Sequence, residues 1–396
     1  MSESDREIRL LYVVTEDQYF YSHRLPLARR AREHGCRVFL AARRVEHHGL
    51  LEAEDITLIP LRMQRSGKNP LWELYTLLQL YRVYRRIKPD LVHHVAMKPV
   101  LYGTAMALLA RVPAVVNAIA GLGFVFISES ALARFLRPLF GRAFPFLLNR
   151  GRVITIMQND EDREIFRELG VDVDRRVTMV RGSGVDIDRF SPRPEPNGPI
   201  TITLVARLLR HKGVEELIGA ARILTAQGQN IRVVLVGDPD PLNPATCTET
   251  ELRSWSAEGI IEWWGHRPDI PEVWHQSHIA VLPSYREGLP KSLLEAAACG
   301  RPMVATDVPG CRDVVRPGEN GLLVPARNTE QLAAALQQLI DDPALRARMG
   351  AAARQMVENE YSDSMIAEQT MDVYGSLLGQ RWPQRFSAQP KQERDA

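Results

Sequence analysis

The sequence predicts an α/β protein built from two doubly wound, parallel-sheet domains, and three observations carry that expectation. Short β-branched runs alternate with amphipathic helical stretches over most of the chain, which is the order a parallel sheet with crossover helices requires. The alternation breaks once, at "RFSPRPEPNGP" (189–199), where the prolines fit neither a strand nor a helix interior, and then restarts. The length of 396 residues exceeds one ordinary domain, while 45% hydrophobic and 25% charged residues are the composition of a globular chain.

In the first half, IRLLYVV (8–14), CRVFLAA (36–42), DLVHHV (90–95), PAVVNAI (113–119) and RVITIM (152–157) read as strands, with LPLARRAREHG as the first crossover helix. In the second half, ITITLVAR (200–207), IRVVLVG (231–237), IIEWW (260–264), HIAVLPS (278–284) and PMVAT (302–306) repeat the pattern, with KGVEELIGAARILTAQG as a helix. The expected domains are residues 1–190 and 199–362. An amphipathic helix over 363–380 is expected to pack back toward the first domain, and the polar tail 381–396 to fray. Sheets of this kind carry ligands at the C-terminal ends of their strands, so a shared cleft is expected.

A formal charge of +2 and an isoelectric point near 8.3 give no strong field, which argues against a nucleic-acid binder. Cys36, Cys247, Cys299 and Cys311 lie far apart with no C-x-x-C pair, so neither a zinc site nor a disulfide framework is indicated, and a reduced cytoplasmic setting fits. The charged start MSESDREIRLLYVV lacks the basic and then apolar order of a signal peptide. Residues 99–127 are long enough to span a bilayer, but Arg111, Pro113, Asn117 and two glycines cut them into helix, strand and loop pieces.

The most informative stretch is "REGLPKSLLEAAACG" (286–300). It follows the strand HIAVLPS, which puts Glu287, Gly288 and Leu289 in the loop at that strand's C-terminal end. Pro290 fits the first helical position and Gly300 the helix end. A helix opening on such a loop presents unpaired N–H groups and positive dipole, and Ser292 adds a hydroxyl, which makes an anion seat. A carboxylate is the wrong partner for an anion, so Glu287 and Glu295 are expected to accept hydrogen bonds from hydroxyl groups on either side of it. A sugar nucleotide presents that alternation, with a ribose diol and hexose hydroxyls flanking a diphosphate. Glu295, about 7.5 Å along the axis from Pro290 with its side chain tilted back, suits the ribose, and Glu287 suits the transferred sugar. "ARLLRHKGV" (206–214) places Arg207 and Lys212 at the same sheet edge. Fixed cations there would stabilise the charge that builds as a nucleoside diphosphate departs. Taken singly, each feature has a plainer reading as a solvated helix face or an exposed cation, and their convergence on one edge favours a site.

The run from Ala206 to Val315, with "ARLLRHKGV", "VVLVGDPDP", "EWWGHRPDIPEVW" and "LPSYREGLPKSLLEAAACGRPMVATDVPGCRDVV", resembles the C-terminal half of the family-4 glycosyltransferases of the GT-B fold, in which two Rossmann-like domains face each other. The resemblance implies that Arg207 and Lys212 bind the donor diphosphate, Glu287 the donor sugar and Glu295 the ribose. It also implies that the Gly265-His266 turn lies near the base and the backbone of Gly288, Leu289 and Pro290 near the phosphates. Gly184 and Asp186 in "RGSGVDIDRF" (181–190) look like the family's hinge-side loop. Family members are retaining and metal-independent, and the second property agrees with protein cations standing where a metal would. "RGSG" lacks the third glycine of a dinucleotide fingerprint. "DID" (186–188) and "DPD" (238–240) read as turn chemistry, not metal ligands.

Residues 8–185 resemble the family's acceptor-binding half more loosely. "EDQYFYSHRLPLARRA" (16–31) follows the first strand without the glycine pair that many relatives carry there, so Tyr19, Tyr21, Ser22, His23 and Arg24 are the groups expected to face substrate. "YSHRLPLA" resembles a bacterial subgroup that builds lipid-linked polysaccharide, including O-antigen and capsule. In "NAIAGLGF" (117–124), Ala120 stands where relatives often have a histidine. His93, His94 and Lys98 in "HHVAMKPVLYG" end the preceding strand and are candidates to replace it, with Gly121 supplying backbone freedom. "FVFISESALARFLRPLFGRAFPFLLNRGR" (124–152) suits either an anionic bilayer surface or an interdomain helix with a large apolar face, and the residues do not choose.

The expected function is therefore transfer of a hexose or N-acetylhexosamine from a UDP-sugar to a lipid-diphosphate-linked (polyprenyl) or oligosaccharide acceptor, with no cofactor and no metal. Arg207, Lys212 and Glu287 are the catalytic candidates. Glu295, Gly288, Leu289, Pro290, Ser292, His266, Gly184, Lys98, His94, Gly121, Tyr21 and His23 are the substrate-contact candidates. The expected location is the cytoplasm, peripheral on the inner membrane face. The rival readings are a sugar-nucleotide epimerase of the same fold and a nucleotide-sugar-binding scaffold without activity.

Overall fold

The computed structural model describes residues 7–44, 48–63, 69–119, 141–241 and 243–383. By its internal contacts the chain forms two compact units. The first comprises the described residues of Met1–Ile156, Arg167–Thr178 and Glu368–Ala396, and the second Met157–Phe166 with those of Met179–Ala367. The proline-rich stretch 189–199 thus lies within the second unit, and the helix Asp363–Leu378 divides between the two.

A seven-stranded sheet is formed by β1 (Arg9–Glu16), β2 (Arg37–Arg43), β3 (Thr57–Pro60), β4 (Leu91–Val95), β5 (Ala114–Ile119), β6 (Val153–Met157) and β7 (Val177–Met179), in the order β3-β2-β1-β4-β5-β6-β7. The pairs from β3 to β5 are parallel. Strands β4 and β5 are buried at every position, as expected of a sheet covered on both faces. Buried polar bonds tie helix Asp363–Leu378 to this sheet. Tyr374 Oη lies 3.1 Å from Tyr12 Oη and 2.5 Å from His93 Nδ1, and Arg30 pairs with Glu368. The apolar run beginning at Pro99 is a π turn (Pro99–Gly103), a helix (Thr104–Ala110) and β5, while its end, 120–127, lies outside the described residues. Among the described residues no helix is long and apolar enough to cross a membrane.

The second unit holds a fully parallel six-stranded sheet of β8 (Ile200–Val205), β9 (Ile231–Val236), β10 (Glu262–Gly265), β11 (Ile279–Leu282), β12 (Met303–Thr306) and β13 (Gly321–Val324). Alternate residues of β11 enter opposite cores. Ile279 and Val281 join Ile202, Leu204 and helix Val214–Ala226 on one face, and Ala280 and Leu282 join Leu293, Leu294 and Ala297 of helix Lys291–Ala298 on the other. The order β10-β9-β8-β11-β12-β13 reverses direction between β8 and β11. In doubly wound sheets such a reversal is where ligands bind, just beyond the C-terminal ends of the two central strands.

Candidate functional site

Two loops meet at that reversal. The first leaves β8, turns through a 3-10 segment (Arg210–Lys212) and closes on Gly213, whose φ is +75°. A Cβ on Gly213 would lie 2.1 Å from the Pro283 carbonyl oxygen, so only glycine lets this loop press against the end of β11. The second loop leaves β11, and its Tyr285 N–H donates to the His211 carbonyl at 2.9 Å. Held in this way, Lys212 Nζ donates to Glu287 Oε1 at 2.5 Å, and Ser284 Oγ donates to the same oxygen at 2.6 Å. Both charged side chains are largely buried, so their attraction is screened far less than that of a surface pair.

A third loop supports the second. Gly310, after β12, has φ +75°, and a Cβ there would sit 2.3 Å from the Gly288 carbonyl oxygen. The segment Met157–Phe166 closes the other side. Arg286, next to Glu287, donates to Asp162 Oδ1 at 2.7 Å, and Asn159 Nδ2 donates to Asp162 Oδ2 at 3.2 Å and to the Gly288 carbonyl at 3.4 Å. The Asp162 carboxylate is buried, and such a charge demands partners. Asp162→Asn removes the charge that anchors Arg286. It is expected to lower kcat/KM about 10- to 100-fold through a displaced 286–290 loop, read by steady-state kinetics alongside a UDP titration.

Pro290 is the cap of helix Lys291–Ala298, with extended φ −76° and ψ 102°, and not its first residue as the sequence suggested. Its carbonyl accepts from the Leu293 and Leu294 N–H groups at 3.1 and 3.3 Å, so the helix opens one residue later. No side chain caps this end. Gly300, at φ +71°, follows the cap residue Cys299. Ser292 is half-buried in the first turn. Glu295 sits one turn further on, with Lys291 Nζ at 3.8 Å. Burial raises the pKa of Glu295, and the nearby charges of Lys291 and Arg189 oppose that rise. A carboxyl with its folded pKa above the unfolded value loses its stabilising contribution as pH rises through that interval. Glu295→Gln is therefore expected to raise Tm at neutral pH, with the gain vanishing toward about pH 4, as thermal melts across pH would show.

Arg207 is paired with a partner other than Lys212 or Glu287. It donates to Asp240 Oδ2 at 2.9 Å, and its side chain is 57% exposed. This gives the "DPD" turn a definite role as a holder of Arg207. In "DID", Asp186 Oδ1 accepts from the Asp188 and Arg189 N–H groups, which is turn chemistry. His266 is exposed just after β10. Gly184, at φ +73°, packs under the backbone of residue 363, where a Cβ would lie 2.4 Å from the Asp363 Cα. Of the four residues singled out by charge, Lys212 and Glu287 are in direct contact. Arg207 and Glu295 have other neighbours. Sequence reasoning missed Ser284, Asn159, Asp162 and Asp240.

Two family models match the chain, "Glycosyl transferase 4-like" over residues 9–158 and "Glycosyl transferases group 1" over 186–356. The chain belongs to the GT-B glycosyltransferases. It is 26% identical over 372 residues, 90% of this chain and 96% of the relative, to N,N'-diacetylbacillosaminyl-diphospho-undecaprenol alpha-1,3-N-acetylgalactosaminyltransferase of Campylobacter jejuni. It is 25% identical to UDP-Gal:alpha-D-GlcNAc-diphosphoundecaprenol alpha-1,3-galactosyltransferase of Escherichia coli, covering 77% of this chain and 80% of the relative. Among solved structures, Anabaena Alr3699/HepE in complex with UDP superposes with a TM-score of 0.75 at 19% identity, covering 94% of this chain and all of that one.

In this glycosyltransferase the first-unit candidates need correction. His94 is not a substrate contact, because it is fully buried, with Nδ1 2.8 Å from Asn117 Oδ1 and Nε2 2.9 Å from Tyr84 Oη. Desolvation lowers its pKa to about 4 and keeps the ring neutral. His93 is equally buried against Tyr374 and cannot replace a reacting-centre histidine. Lys98 Nζ bonds to Glu73 at 2.8 Å and lies over the Tyr102 ring. Tyr21 and His23 fall on a helix, Asp17–His23. Both are half-exposed, and His23 stacks on Tyr19 at 4.4 Å. Arg24 is buried, not solvent-facing. Ala120 and Gly121 lie outside the described residues, as does 124–140 of the apolar segment.

Proposed function

We propose that this glycosyltransferase moves a hexose or N-acetylhexosamine from a UDP-sugar to a lipid-diphosphate-linked acceptor, with retention at the anomeric carbon and without metal or cofactor. The observation that carries the reading is the Lys212–Glu287–Ser284 cluster at the strand reversal of the second unit, beside the uncapped start of helix Lys291–Ala298. A diphosphate entering there meets helix N–H groups and the Lys212 ammonium, with Arg207 earlier on the same loop as Lys212. Glu287 would turn from Lys212 to a sugar hydroxyl, and Glu295 would take the ribose. The relatives from Campylobacter jejuni and Escherichia coli, whose names specify undecaprenyl-diphosphate acceptors, support the acceptor class. The UDP complex of the Anabaena protein supports the base. A cytoplasmic position on the inner membrane face belongs to the same proposal, since such an acceptor is held in a bilayer.

The test incubates the protein with a panel of UDP- and GDP-sugars, with and without a polyprenyl-diphosphate-linked acceptor, and follows nucleotide release and the anomeric configuration of the product. UDP release that requires acceptor and yields a retained glycosidic bond is the expected result. UDP release without acceptor product would favour an epimerase, and binding without turnover a scaffold.

A further inference from the structure

The helix Pro70–Ile87 begins at Asn69, whose side chain accepts from the Leu71 N–H at 3.0 Å, and it buries Thr76, Leu80 and Tyr84 along one stripe. The opposite face is the anomaly. Leu71, Leu74 and Leu78 are 75%, 55% and 45% exposed there, with Trp72 beside them at 48%. At about 100° per residue, Leu71, Leu78 and Arg82 fall within about 40° of one line, about 180° from Leu80. One turn beyond the leucines, the same face continues into exposed Arg82, Arg85 and Arg86, and Lys88 follows at the cap. The helix's one acidic residue, Glu73, is taken up by Lys98. Four large apolar side chains open to solvent on one helix, followed by a cationic row with no acid among them, are not the surface of a solvated crossover helix.

We infer that this face of Pro70–Ile87 docks on an anionic lipid bilayer, with Leu71, Leu74, Leu78 and Trp72 entering the acyl boundary and Arg82, Arg85 and Arg86 meeting the headgroup phosphates. Charge decides the occupant. A second copy on the same face would set arginines against arginines or against leucines, and a nucleic acid would gain nothing from the leucines. A bilayer surface satisfies both halves at once, taking apolar groups at one depth and cations at another. Tryptophan at such a boundary is favoured for the same reason. The geometry stands on its own, and only its purpose, delivering the site to a membrane-held acceptor, rests on the proposed acceptor class.

The test is co-sedimentation of the full chain with phosphatidylcholine vesicles, either pure or containing about 30% phosphatidylglycerol, without acceptor or donor. Wild type is expected to partition onto the anionic vesicles. Leu71→Ser/Leu74→Ser/Leu78→Ser and Arg82→Ser/Arg85→Ser/Arg86→Ser are each expected to bind at least about tenfold more weakly. Both variants should retain wild-type UDP affinity and wild-type transfer to a short-chain, water-soluble acceptor. Wild type left in the supernatant with both vesicle types, or triple variants bound as tightly as wild type, would overturn the inference. So would a concentration-dependent dimer that is abolished by the leucine variant. Persistent transfer to the soluble acceptor alongside failed sedimentation would place the fault in this inference and leave the proposed reaction standing.

Discussion

Lys212→Ala is expected to lower kcat about 10²- to 10³-fold, the cost of removing one fixed charge from a developing anion in a sheltered site. Two separable effects combine in that variant. The first is catalytic, because the departing nucleoside diphosphate loses its cation, so kcat and kcat/KM fall together. The second is structural. Glu287 Oε1 loses its ammonium donor and keeps only Ser284 Oγ, and a largely buried carboxylate left short of a partner costs about 1–3 kcal/mol. Lys212→Met distinguishes them, since it fills the space without the charge. A drop in turnover matching that of the alanine variant would assign the effect to electrostatics. Arginine is not a conservative replacement here, because its planar fork does not fit a point contact with one carboxylate oxygen. Normal turnover in both variants would exclude Lys212 from the reaction.

Glu287→Gln is the second large effect, with an expected loss of about 10²-fold in kcat. The amide keeps the size of the side chain and a hydrogen bond to Ser284, and loses the charge that Lys212 bonds. If Glu287 grips the transferred sugar, affinity for the complete UDP-sugar falls while affinity for UDP alone is preserved. Should Glu287 serve only to hold Lys212, both affinities fall in step. Calorimetry with UDP and with UDP-sugar separates these cases. Lys212→Ala and Glu287→Gln should also be non-additive, because each removes the other's partner.

The strands that bear the site were legible because they are long or deeply buried. The runs at 200–207 and 278–284 became β8 and β11, and their position before a basic and an acidic loop was enough to choose Lys212 and Glu287. Short edge strands gave no such signal. β3 is TLIP, half-exposed, and β7 is three residues long. β13 is GLLV, which opens on a glycine and is too short to show a period. The helix Asp17–His23 carries no helical signal in the sequence, because its polar and aromatic residues lack an apolar repeat.

Tertiary partners were out of reach for a different reason. Asp162 and Arg286 are 124 positions apart, and nothing local in "NDEDRE" marks one acid as the buried one. His94 misled in the opposite sense. Its place near a strand end suggests exposure, yet β4 is buried throughout and Tyr84 of helix Pro70–Ile87 holds the ring through a hydrogen bond to Nε2. A strand-end position predicts a site only where the following loop is held open. Around β4 the turn Pro99–Gly103 packs so tightly that a Cβ on Gly103 would lie 2.4 Å from His94.

A crystal structure of the protein with a bound UDP-sugar tests the central claim most directly. The account predicts the diphosphate at the start of helix Lys291–Ala298 within hydrogen-bond distance of Lys212, a sugar hydroxyl on Glu287 and the ribose on Glu295. A nucleotide seated elsewhere, with Lys212 still bonded to Glu287, would contradict it.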